Sequence, residues 1–236
     1  MAAAAGEQSW IDAMTNDKDV HSVMGQLLYG KVWDDAAESD CTFPYKCSCP
    51  KHKPLRTNAK NLNFGLAYGK GPAALSIDLN LSVNESIQLI RKYKSKIPAI
   101  TRWLIRNGNE AVKNKSIRTL PPYNRLRNLE LEPEEWRRQN QGKNTPVQGT
   151  GGDMLKLSLV YLYDYVRKNN LQDVVKIVLV VHDEIISEVK NNYAKKWQKI
   201  KKQLMEQAAL DILKHPVVKT NPYLNTKWTE PNENHN

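Results

Sequence analysis

The stretch Arg56-Thr57-Asn58-Ala59-Lys60-Asn61-Leu62-Asn63-Phe64-Gly65-Leu66-Ala67-Tyr68-Gly69 sets Arg, Lys, Phe and Tyr at successive four-residue steps. On a helix these side chains lie on one slowly drifting face, two cations followed by two aromatic rings. A triphosphate needs cations at its anionic end and an apolar platform at its base end, and the stripe offers both in that order. An ordinary amphipathic helix with solvated cations would carry the same four residue types.

Outward from this stretch the pattern is mainly helical. Residues 8–30 place Trp10, Ile11, Met14, Val20, Val23, Met24, Leu27 and Leu28 at helical spacings. Residues 34–55 break the pattern with prolines and all three cysteines, and read as an insertion or loop. A helix over 58–68 is closed by Gly69-Lys70-Gly71-Pro72. Ser82 with Glu85 forms a capping box that starts a helix running to about residue 95, and another helix spans 98–113. Residues 118–128 are basic, contain prolines and read as extended. A short helix is expected over 134–139, and a long one over 153–168 with Asp153 as its cap. The apolar runs 176–181 and 185–189 flank His182-Asp183-Glu184 and read as a tight hairpin, followed by an amphipathic helix over 193–213. A carboxylate at such a turn sits on a rigid support and suits metal binding. The tail after Trp228 reads as disordered.

The bulk properties narrow the function classes. The chain has 236 residues, 40% hydrophobic, with a net charge of +10 that favours a polyanionic partner. It contains no apolar run long enough to span a membrane and no secretory start, so no membrane partner is expected. The three cysteines, Cys41, Cys47 and Cys49, do not form a secreted disulfide framework. The chain reads as intracellular.

The stripe closely resembles the fingers-helix motif of DNA polymerase I-like (family A) enzymes, R-x3-K-x3-[FY]-G-x2-Y-G, and matches every fixed position. That resemblance implies that Arg56 and Lys60 grip an incoming dNTP, that Phe64 lies against its sugar and base, and that Tyr68 stacks on the template. It also implies that Gly65 and Gly69 leave room for close approach. His182-Asp183-Glu184, about 120 residues further on, is similar to the family's last palm motif. Asp183 would then be one of two carboxylates holding a pair of Mg²⁺ ions, with His182 at the primer end and Glu184 supporting the site from its edge. Residues 144–153 look like the family's N-x-P-x-Q-G-T-x2-D segment. Asn144 and Gln148 could donate to minor-groove acceptors common to every correct base pair. Arg125 and Arg127 resemble a basic strand beside the primer backbone, or are simply solvated charges.

The resemblance implies an α+β fold, with a mainly helical fingers subdomain inserted in a palm that carries a small antiparallel sheet. It gives a helical segment at 1–33, a Cys-rich insertion at 34–55, fingers at 56–115, the C-terminal part of the palm at 116–230, and a disordered tail at 231–236. The family's first palm motif, D-[YF]-S-x2-E, has no match here, and neither has a thumb; Asp12, Asp17 and Asp19 read as surface charges. The expectation is therefore a split polymerase, or else one segment of a longer or deliberately cut polymerase. Its C-terminal subunit would bind primer-template DNA and work with a second polypeptide that carries the thumb and the first palm motif. The setting would be the cytoplasm of a bacterial or virus-infected bacterial cell. The alternative is a non-catalytic DNA-binding or scaffold protein derived from a polymerase. Cys41, Cys47, Cys49 and His52, within twelve residues, make a full tetrahedral set for structural Zn²⁺, or else free thiols in a flexible loop.

Overall fold

The computed structural model describes residues 1–47 and 49–228, so the expected tail at 231–236 lies outside the described residues. The chain divides into two compact units, Met1–Thr150 and Gly151–Asn236.

The first unit begins with α1 (Ala2–Ala5), stopped by Gly6 at φ 68, and α2 (Gln8–Thr15). The helix expected over 8–30 is in fact two, α2 and α3 (Val20–Tyr29). Asp17 turns the chain at φ 57, and Asp19 caps α3 by accepting the Ser22 N–H at 2.7 Å. After α4 (Lys31–Asp34) comes a loop, then α5 (His52–Ala67), which begins six residues before the predicted start. The prolines hid that start, but Pro54 falls in the first helical turn, where no intrahelical N–H is needed.

Helices α6 (Pro72–Leu79), α7 (Val83–Lys96) and α8 (Pro98–Asn114) follow, and the capping box of Ser82 and Glu85 is present at the head of α7. No neighbouring side chain caps α8. Instead Glu7, buried and 92 residues earlier, accepts the Ala99 N–H at 2.9 Å. A carboxylate there satisfies orphan donors and faces the positive end of the helix. The segment read as extended over 118–128 pairs at its ends: β1 (Ser116–Arg118) runs antiparallel to β2 (Leu126–Asn128), with Ile117 opposite Arg127. Ile117 and Leu129 pack on Ala111 of α8.

The largest departure is α9, a single helix over Glu135–Lys168 where two were expected. Pro146 lies inside it and removes one backbone donor without ending it. Its early turns lie tight against α8: a Cβ added at Gly142 would sit 2.5 Å from Ala111 Cβ and 2.6 Å from Asn107 O. That packing outweighs the local preference of Gly and Pro for a break. Asp153 is consequently not a cap but a buried mid-helix residue, 3% exposed.

In the second unit β3 (Val175–Val181) and β4 (Glu184–Val189) form the predicted hairpin, with Val181 opposite Glu184 and an irregularity between Ile177 and Leu179. A short 3₁₀ turn (Asn191–Tyr193) leads into α10 (Ala194–Leu213). Leu162, Val166, Val175, Ile185 and Trp197 form the core of this unit. Val178, Leu179 and Val180 remain exposed. Among the described residues, no helix is long and apolar enough to cross a membrane.

Candidate functional site

Helix α5 presents the four-residue stripe much as its spacing demands. Phe64 and Tyr68 stack nearly parallel, centroids 6.4 Å apart and planes 17° apart, and both stay exposed, at 44% and 45%. Lys60, also exposed, holds its Nζ 5.9 Å from the Phe64 ring centroid. Two large rings turned to solvent on a helix whose other face is buried leave an apolar shelf with a cation at one end. Gln148 of α9 donates from Nε2 to the Tyr68 hydroxyl at 3.2 Å, so the shelf is tethered to α9. Asn144 lies one turn earlier on α9 and is partly exposed.

Arg56 differs from expectation. Its Nε and Nη2 donate to the two carboxylate oxygens of Asp19 at 2.8 and 2.9 Å, a bidentate pair with side chains only 17% and 14% exposed. Asp19 is therefore not a surface charge. Burial pushes its carboxyl up, but the Arg56 guanidinium and the Ser22 hydroxyl and N–H outweigh it and hold it below the usual 3.8. Asp12 and Asp17 are exposed. His21, two residues on, accepts at Nδ1 from Asn63 Nδ2 at 2.7 Å, and its ring centroid lies 5.6 Å from that of Phe64. Burial lowers its pKa below 6.5, and the Arg56 and Lys60 charges add to that against the pull of Asp19. The roles of Asp19 and His21 went unread. The cap pattern before Val20 was a usable signal for Asp19, but nothing local announces a pair across 37 residues.

The glycines of the stripe also serve differently. The space a side chain would need at Gly65 is taken by Leu75 Cδ2 at 2.7 Å, and at Gly69 by the side-chain amide of Asn140. Their close approach is to the protein's own elements. Arg125 donates to the Gly149 carbonyl at 3.0 Å and Arg127 to the Thr145 hydroxyl at 3.4 Å, so both anchor to α9 while remaining exposed.

In the second unit His182 takes φ 51 at the hairpin turn, and His182 and Asp183 are exposed there. Glu184 accepts from the Tyr223 hydroxyl at 2.6 Å. Lys201 donates to the Ile185 carbonyl; burial lowers its pKa while Glu184 opposes the shift. Among the described residues, Asp183 and Glu184 do not gather with a third acidic, imidazole or thiol ligand.

The sequence matches the profile of DNA polymerase family A over residues 1–230. The chain belongs to that family. Among its curated relatives, DNA polymerase I of Caldicellulosiruptor bescii is 28% identical over 224 residues, covering 92% of this chain and 24% of the relative. The thermostable DNA polymerase I of Thermus thermophilus is 26% identical over 213 residues, covering 88% and 23%. The chain thus spans about a quarter of the length of these relatives. Among solved structures, the POL domain of Pol1 from M. smegmatis, in complex with DNA primer-template and dNTP, superposes with a TM-score of 0.71 at 22% identity. That match covers 88% of this chain and 34% of the other, and bears out the family A fold.

This family A chain also gathers its cysteines. Cys41, Cys47, Cys49 and His52 lie with their ligand atoms within 4.8 Å of one another. Burial opposes ionisation of Cys47, yet the N–H groups of Cys49 and Thr42, with the Cys49 and His52 side chains, bring its thiol down to about 6. Burial pushes the Cys49 thiol up.

Proposed function

We propose that this chain carries the nucleotide-gripping helix and one metal-holding aspartate of a template-directed DNA polymerase, and acts with a further polypeptide segment that supplies the thumb and the second aspartate. The observation that carries the reading is the shelf on α5: the exposed, stacked Phe64 and Tyr68 with Lys60 at one end. Membership of DNA polymerase family A supports it.

In this reading Lys60 meets the triphosphate of an incoming dNTP, and Phe64 takes its sugar and base. Tyr68, steadied by Gln148, stacks on the template, while Asn144 and Gln148 test the minor groove of the new pair. Arg56 acts with one face of its guanidinium committed to Asp19 and is chiefly a positioning residue for α5. Arg125 and Arg127 offer their remaining donors to primer phosphates. His182 and Asp183 face the primer end, and the bond from Tyr223 fixes Glu184 at the edge of the site. Asp183, together with the second aspartate, would hold a pair of Mg²⁺ ions, which when bound would supply activation of the primer 3′-hydroxyl and charge stabilisation for the leaving pyrophosphate. The fingers would span about 56–115 from a helix that starts at His52, and the palm about 116–230. The cellular setting would be bacterial or phage-infected cytoplasm.

Two observations support the second segment. No D-[YF]-S-x2-E pattern occurs in these 236 residues. In addition, Val178, Leu179 and Val180 leave an apolar stretch of β3 exposed, where a further palm element would bury it. Primer extension tests the reading. The purified chain alone should extend nothing measurable, and adding a polypeptide that bears D-[YF]-S-x2-E and a thumb should restore synthesis. Asp183→Ala should abolish it again. Robust extension by the chain alone would sink the proposed division of the site, and failure of every such partner to restore synthesis would favour a DNA-binding scaffold.

A further inference from the structure

The four ligand atoms ahead of α5 are spaced for one ion. Cys47 Sγ lies 3.7 Å from Cys41 Sγ and 3.3 Å from Cys49 Sγ, while His52 Nδ1 lies 3.2 Å from Cys41 Sγ and 3.5 Å from Cys47 Sγ. Tetrahedral zinc, with Zn–S about 2.3 Å and Zn–N about 2.0–2.1 Å, sets ligand edges of roughly 3.5–3.8 Å. Small adjustments of four side chains therefore close the shell.

The surroundings of His52 orient it for that task. Its Nε2 donates to the Trp33 carbonyl at 2.8 Å, which leaves the Nδ1 lone pair aimed at the sulfurs. Trp33, 1% exposed, stacks on the imidazole with centroids 4.3 Å apart and planes 18° apart, and Phe43 meets Trp33 edge-on. Cys47, Cys49 and His52 are all buried. Three thiolates and one imidazole leave no open coordination position, which suits a structural ion, and soft sulfur ligands disfavour Mg²⁺.

We propose that Cys41, Cys47, Cys49 and His52 bind one structural Zn²⁺, and that this ion pins the start of the helix bearing Lys60, Phe64 and Tyr68. The ion is held by three thiolates, whose protons go to solvent, and one neutral imidazole, through three Zn–S bonds and one Zn–N bond, giving a cluster of net charge −1. His52 is the first residue of α5, and Lys51 before it supplies no side-chain cap. The backbone N–H of His52 reaches Cys49 and that of Lys53 reaches the Cys49 carbonyl, so the cluster does the capping. The same loop holds Asp19, whose N–H donates to the Pro44 carbonyl at 3.0 Å, and Asp19 in turn holds Arg56 one turn into α5. Zinc thereby locks both ends of the Asp19–Arg56 pair.

The site is independent of any catalytic reading, and its test uses neither DNA nor nucleotide. The full chain, purified under reducing conditions without added metal, should contain about one zinc. Co²⁺ added after chelation should give the intense visible bands and thiolate charge-transfer absorption of a tetrahedral S₃N site. Cys47→Ser/Cys49→Ser should lose both signals, and Lys51→Ala should keep them. If the double variant fails to fold, the cobalt spectrum of the wild-type chain reads the site directly. Hydrogen exchange before and after chelation should show faster amides over 52–56 and unchanged ones in α10. Reduced protein with neither zinc nor a tetrahedral cobalt spectrum would overturn the site, as would metal retained by a folded double variant. Unchanged exchange over 52–56 would overturn the pinning role.

Discussion

Arg56 and Lys60 are one turn apart on the same face, yet the structure gives them different work. Arg56 is held by Asp19, so Asp19→Ala removes a half-buried ionic partner and a helix cap together. We expect a loss of about 3 kcal/mol, read as a lowered denaturant midpoint, whereas exposed Asp12→Ala should cost no more than about 0.5 kcal/mol. Lys60→Ala should leave that midpoint nearly unchanged but slow nucleotide incorporation by the reconstituted polymerase by about a hundredfold. Equal effects of Asp19→Ala and Lys60→Ala on both readouts would remove the distinction. His21 gives a pH prediction at the same scale. Its folded pKa lies below 6.5, so the unfolded chain binds the proton more readily. The neutral ring's contribution is full above 6.5 and is lost as pH falls through that value towards the folded pKa. The imidazole carbon shifts of His21, followed by NMR across that range, should titrate below 6.5; titration at or above 6.5 would contradict the half-buried, Asn63-bonded ring. The stripe itself was legible in the sequence because one helix face repeats every four residues. The Asp19 partner was not, because a pair that spans 37 residues exists only after α3 and α5 have met.

Among the elements, those whose signals are local came through well. The capping box of Ser82 and Glu85, Pro98 at the start of α8, and the β3–β4 hairpin all rest on contacts a few residues apart, whereas α6, headed by Pro72, went unread. Helix α9 did not come through, because its continuity depends on α8 lying against Gly142 and outweighing Pro146 and the glycines nearby. That contrast makes an experiment of two glycines in one helix. Gly142→Ala forces a Cβ against Ala111 and the Asn107 carbonyl, and should destabilise by about 1–3 kcal/mol. Gly151→Ala meets nothing within 4 Å and should stabilise by about 0.5–1 kcal/mol through helix propensity alone. Thermal or denaturant unfolding of both variants checks the signs, and a stabilising Gly142→Ala would mean that α8 and α9 do not cross as closely as described.

At the scale of the whole molecule the charge of +10 favours a polyanionic partner, and the proposed partner is primer-template DNA. Affinity for primer-template should fall linearly on a log–log plot against salt, with each neutralised phosphate adding about 0.9 to the slope. Fluorescence anisotropy between low and moderate salt measures it, and a flat line would show that phosphate contacts contribute little. The fold as a whole was legible through its fingers stripe and hairpin. What sequence alone left unread are the long-range ties, of which Glu7 is the longest described. Because its carboxylate caps α8 from 92 residues away, the bond cannot form until Ala99 has been made and has left the ribosome. At about 5–20 residues per second, synthesis imposes a delay of roughly 5–18 s. Through that interval Trp10 and Ile11, which end up buried, wait in a nascent chain whose closing partner has not yet been translated.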